Sequence, residues 1–182
     1  TRDPIDEAYA SVNIYKSFMG KMNELKTAGK IADWADVPYD WRLSLDDILA
    51  GGTKTGDNIS YTSASSDPYV FKELLRLADT SRTKKVTIVA HSNGGLVIKA
   101  LLVAHPELAQ KIDKIIFVDV PQVGTPQSIA ALLHGYRQGI PESLPLLLSE
   151  QAARSFAQNA PVAYNLLPSF NYFASVFDPV VT

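Results

Sequence analysis

The residues best suited to chemistry are Ala90-His91-Ser92-Asn93-Gly94-Gly95. A serine hydroxyl is a weak nucleophile until a base takes its proton and its oxygen projects from the backbone into a site. A sharp strand-to-helix turn achieves that projection, and it needs small residues two before and two after the serine, where the two backbones converge. Ala90 and Gly94 hold those positions, and Gly95 relieves crowding further. Such a turn also sets the Asn93 backbone N–H at a helix N-terminus, where it can stabilise the oxyanion of an acyl-transfer intermediate. The bland reading is a serine that only caps a buried helix. The strand–turn–helix context favours the nucleophile, Ser92.

The elements around the motif supply that context. Residues 85–90 (KVTIVA) form a short β-branched run, the pattern of a strand buried on both faces. Residues 96–104 are apolar apart from Lys99, as in a helix buried nearly all round, and Pro106 ends it. Residues 115–120 (IIFVDV) read as a second buried strand, 121–126 as a loop and 127–134 as a helix. Upstream, Ile5, Tyr9, Val12, Met19 and Met22 recur at helical spacing and predict an amphipathic helix over 6–26. Residues 31–37 read as a strand, and the stretch from Gly51 to Tyr61 as turn chemistry between two short extended pieces. Asp67-Pro68 predicts a helix start whose apolar face is Val70, Phe71, Leu74, Leu75 and Ala78. Beyond residue 143 helices are broken by Pro145, Pro161 and Pro168, and residues 144–148 could begin a lid or a core helix. Helix and strand alternating in this way predict the α/β class with a mostly parallel sheet and flanking helices.

Composition narrows the field. The chain has 182 residues, a net charge of -2 and 46% apolar residues, enough for one domain with a sizeable core. No basic excess or long basic run marks a nucleic-acid binder. Cysteine is absent, which excludes disulfides, a thiol nucleophile and thiolate metal sites, yet assigns no compartment. No apolar run approaches a membrane span, and the polar start is not a signal peptide. Localisation and oligomeric state cannot be read.

Four segments together resemble the lecithin:cholesterol acyltransferase-like α/β hydrolases, including bacterial members. They are Pro38-Tyr39-Asp40-Trp41-Arg42, then Val89 to Leu96 around Ser92, then Gly124-Thr125-Pro126, and Leu166-Leu167-Pro168-Ser169. The first is the most discriminating, since the serine motif and Gly-Thr-Pro are shared with many lipases. The resemblance implies acyl chemistry on lipid esters through a Ser–Asp–His triad, without metal or cofactor. It implies a lipid or acyl-ester substrate and is compatible with peripheral membrane contact. It matches Ser92 to the nucleophile and Asn93 to the N–H donor. It also implies that residues 1–182 form a single, partial α/β-hydrolase domain with a helical C-terminal insertion or lid. The expected N-terminal oxyanion strand and the later strands bearing acid and histidine are not recognised, so the chain by itself is expected to turn over little substrate.

Within the chain, each triad partner has a competing role. Asp119 ends the strand after the nucleophile strand, where an acid could orient an imidazole. The alternative is an aspartate bonded to the turn at 121–125, and the resemblance favours an acid further on. His91 adjoins Ser92, but neighbours on a tight turn project apart. His105 lies about 20 Å along the helix axis from Ser92 and suits the helix C-terminus. His134 keeps the order serine, acid, histidine, yet no strand returns it to the site. The competing function is a non-catalytic binding or interaction domain on a hydrolase scaffold.

Overall fold

The computed structural model describes residues 7–8, 12–56, 58–61, 68–135 and 149–177. The chain mixes helices with small sheets. Its order is β1 (Glu7–Ala8), β2 (Val12–Asn13), α1 (Lys16–Thr27), α2 (Leu45–Ala50), β3 (Thr53–Thr55), β4 (Asn58–Ser60), α3 (Tyr69–Thr80), β5 (Val86–His91) and α4 (Asn93–Ala104). A 3-10 helix (Pro106–Lys111) leads into β6 (Ile112–Val118), followed by α5 (Pro126–His134), α6 (Glu150–Asn159), α7 (Pro161–Asn165) and α8 (Phe170–Ser175). Among the described residues the strands form three two-stranded sheets, β1-β2, β3-β4 and β5-β6. The first two are antiparallel. β5 and β6 are joined through α4, a connection of the kind a parallel pair requires.

The described chain divides into two compact units, and β5, α4 and β6 each contribute residues to both. The first unit holds residues 46–89 and 99–116 together with the N-terminal segment to Asp40. Its core gathers Ile48, Ile59, Tyr69, Val70, Leu74, Ala78, Leu101 and Leu108. α3 buries Tyr69, Val70, Leu74 and Ala78, the face that its spacing predicts. Pro68 is the residue before the helix, one position later than expected, while Asp67 lies outside the described residues. The expected hairpin is present, with Lys54 opposite Ile59.

Four expectations need correction. The first helix begins at Lys16, because Val12 and Asn13 pair with Ala8 and Glu7 instead. β-branched Val12 fits helical spacing by number but is a poor helix former. Residues 31–37 form no strand. Their side chains turn back onto α1: Lys26 Nζ donates to Asp33 Oδ1 at 2.7 Å, and Trp34 Nε1 to Asn23 Oδ1 at 3.0 Å. The β5-β6 pair is not buried on both faces either. Val89, Ile116 and Val118 are 44%, 48% and 45% exposed, since a two-stranded sheet with alternating side chains leaves one row uncovered. α4 buries Val97 and Leu101 but leaves Val103 81% exposed, so it too is buried on one side rather than all round.

The second unit comprises residues 41–45, 90–98 and 117 onward. Ala90, Val97, Ala157, Ala160, Val162, Ala163 and Tyr172 are buried there. Pro126 opens α5 and Thr125 caps it, its side chain accepting from Gln127 N. Ser149 caps α6 by accepting from Ala152 N at 3.2 Å. Pro161 starts α7 and Pro168 precedes α8, as the proline breaks predict. Pro145 and the run 144–148 lie outside the described residues. No helix among the described residues is long and apolar enough to cross a membrane.

Candidate functional site

β5 ends at His91, α4 begins at Asn93, and Ser92 lies between them with φ +51. A non-glycine residue in the left-handed region is held there only when its surroundings over-determine it. Two backbone bonds do so: Ser92 N–H donates to Val118 O at 3.0 Å, and Gly95 N–H donates to Ser92 O at 3.0 Å. Ala90 is 5% exposed, so a larger side chain there would have no room. Gly95 meets the same limit, because a Cβ on it would overlap the Val120 side chain. The small residues thus let a helix start close against the chain that follows β6.

Asn93 is the first residue of α4, whose first turn carries no acidic side chain. The positive end of the helix dipole is therefore not offset by a carboxylate of its own first turn. The Asn93 side chain is itself buried, and neither its Nδ2 nor its Oδ1 has a hydrogen-bond partner. A buried amide without partners costs on the order of 1–3 kcal/mol.

Asp119 follows β6 immediately and has φ +48, so a second non-glycine residue enters left-handed backbone beside the elbow. Its side chain is exposed and makes no hydrogen bond or ion pair among the described residues. The turn after it closes without Asp119, through Gln122 N–H to Val120 O at 2.8 Å and Gly124 N–H to Pro121 O at 3.0 Å.

The structure brings no histidine onto Ser92, whose Oγ has no hydrogen-bond partner among the described residues. His91 closes β5 and is exposed. His134 is the exposed last residue of α5. His105 belongs to the first unit, where Nδ1 lies 3.2 Å from Glu107 Oε1 and the ring packs 4.7 Å from that of Phe71. No cluster of three or more metal-ligating side chains occurs among the described residues.

The sequence did not disclose how the later motifs join. Thr125 N–H donates to Leu166 O at 2.8 Å, and Ser169 N–H donates to Val123 O at 2.9 Å. Buried Ser128 places its hydroxyl 2.7 Å from Thr125 O and 3.0 Å from Leu166 O. Gly124 has φ +87, and a Cβ there would overlap the backbone of Leu167 and Pro168. The Gly-Thr-Pro loop and the Leu-Leu-Pro-Ser segment therefore form one latch. Trp41 joins the same unit through its ring contact with Phe156, and the Arg42 carbonyl accepts from Val162 N–H.

A strand–serine–helix turn with a bonded loop behind it, in a chain of mixed helices and small sheets, defines a class of serine-bearing protein. The profile of the lecithin:cholesterol acyltransferase family matches residues 3–178, and the chain belongs to that family. No curated protein and no solved structure matches the chain.

Proposed function

We propose that this protein transfers or hydrolyses acyl groups of lipid esters, in the manner of a lipase, phospholipase or O-acyltransferase, with Ser92 as the nucleophile. The observation that carries the reading is the left-handed Ser92 between β5 and α4, the conformation that lifts a side chain off a strand end. Family membership supplies the lipid-ester substrate class. The fold we assign is a single, partial α/β-hydrolase arrangement over residues 1–182, supported by the β5–α4–β6 succession.

In the proposed reaction Ser92 Oγ attacks the ester carbonyl as a base takes its proton. The tetrahedral oxyanion forms against the Asn93 N–H and the positive end of α4. Collapse expels the alcohol, which recovers the proton. Water or an acceptor alcohol then attacks the acyl-serine and releases acid or new ester. Asp119 is the acid assigned within the chain, and it would orient the imidazole of the base. We assign the base to none of His91, His105 or His134. Contact with a membrane surface fits the reading, since Phe170 and Phe177 are 86% and 100% exposed. No metal or cofactor enters the scheme.

A fluorophosphonate probe on the full-length protein tests the assignment. Labelling of the wild type, lost in Ser92→Ala and kept in His91→Ala, His105→Ala and His134→Ala, is the expected result. An unlabelled wild type, or labelling that survives Ser92→Ala, would remove Ser92 as nucleophile. The unpartnered Ser92 Oγ then favours the second reading, a binding domain on a hydrolase scaffold.

A further inference from the structure

The second unit carries an open surface depression of about 490 Å³, lined by Ser44, Gln158, Asn159, Pro161, Tyr164 and Asn165, all but Ser44 exposed. None of these side chains is charged. Three of them are carboxamides, and each is held at one end. Gln158 Nε2 donates to Leu132 O at 3.0 Å, and Asn159 Nδ2 donates to Ser155 O at 2.8 Å. Asn165 Oδ1 accepts from Leu45 N–H at 3.2 Å. A carboxamide tied through one end has its other end oriented. Gln158 and Asn159 thus keep carbonyl oxygens to offer, and Asn165 keeps two N–H donors. The Tyr164 hydroxyl donates to Gln158 O at 3.0 Å, which fixes a half-exposed aromatic ring at the depression.

Fixed donors and acceptors without charge match hydroxyl groups, each of which donates and accepts at once. No lining side chain offers a phosphate, carboxylate or ammonium group an opposite charge. The Tyr164 ring offers an apolar face to the C–H side of a ring compound. We propose that this depression binds a neutral polyhydroxylated group, a sugar or polyol, whether free or as the head of a lipid. The proposal does not rest on Ser92. The depression is nonetheless built on α7, whose following residue Leu166 accepts from the loop beyond Asp119.

Titration of the protein with methyl glucoside and with myo-inositol, followed through the side-chain amide NMR signals of Gln158, Asn159 and Asn165, tests this. Inorganic phosphate and tetramethylammonium serve as charged controls. The expected result is saturable shifts at those amides with at least one neutral probe, at a dissociation constant on the order of millimolar. Asn165→Ala should weaken binding about tenfold by removing the donors. Asn159→Leu should do so without touching the Asn165 bond to Leu45, and it keeps the test valid should Asn165→Ala fail to fold. Ser92→Ala should bind like the wild type. Unsaturable shifts, equal binding of phosphate or tetramethylammonium, or wild-type affinity in every variant that folds would overturn the proposal.

Discussion

The Ser92 N–H and the Val118 carbonyl are bonded at 3.0 Å, which ties the ends of two strands together where each chain turns into left-handed backbone, at Ser92 and at Asp119. Left-handed backbone costs a residue with a Cβ roughly 1–2 kcal/mol, least for aspartate and asparagine. Asp119→Gly is therefore expected to raise the melting temperature, by stability on the order of 1 kcal/mol. Asp119→Asn is expected to leave it unchanged. If Asp119 is the acid, both variants slow fluorophosphonate labelling by orders of magnitude. Wild-type labelling rates in both would remove Asp119 from the mechanism.

Gly95 and Gly124 are both closed to a side chain, against different neighbours. Gly95→Ala overlaps the Val120 side chain, chiefly its two γ-methyls, so a loss of about 1–3 kcal/mol should be partly recovered in Gly95→Ala/Val120→Ala. Gly124→Ala meets backbone at φ +87, and no truncation of Leu167 should restore it. Denaturant unfolding of the single and double variants checks both, and equal recovery at the two sites would contradict the distinction.

Asn93 keeps a buried amide without partners, so an apolar residue of similar shape should be tolerated. Asn93→Leu is expected to stabilise the fold by on the order of 1 kcal/mol, because it removes an unsatisfied donor and acceptor. The backbone N–H remains, so labelling at Ser92 should persist. A drop in stability would show that the amide finds a partner in solution.

Burial pushes the Tyr69 hydroxyl above its ordinary pKa of 10.0, with Glu73 and Asp36 adding to the rise. The unfolded chain therefore loses this proton first as pH rises. The stability from neutral Tyr69 is complete below pH 10.0 and declines above it. The Tyr61 hydroxyl is raised by burial in the same sense. Tyr69→Phe should cost little at neutral pH, since the buried hydroxyl has no partner, and should shift alkaline unfolding to higher pH. Thermal melts between pH 8 and about 11 would show it. An unchanged alkaline limb would mean the hydroxyl is solvated.

What the sequence disclosed was local. The β-branched run before Ser92, the small residues around it, the helix ending at His134 and the hairpin near Gly56 are each set by neighbours within a few positions. What it hid depends on distant partners. Val12 fits a helical period until Ala8 is available to pair with it. Asp33 and Trp34 lie in a strand-like stretch whose side chains bond to α1. Whether Val89 is buried depends on how many strands and helices cover it, which a β-branched run does not encode. The elbow was legible at Ser92, but the unpaired state of Asn93 and the amide-lined depression were not, because each depends on partners that lie elsewhere in the chain.

The latch between Gly124 and Leu167 also bears on how this sequence can be recombined. Residues more than 40 positions apart share hydrogen bonds and a surface that admits no side chain. A chimera that imports one stretch from another protein, and leaves the other native, would juxtapose two halves never fitted to each other. Crossover points that keep residues 121–169 on one parental segment should yield folded progeny, whereas crossovers between those positions should not.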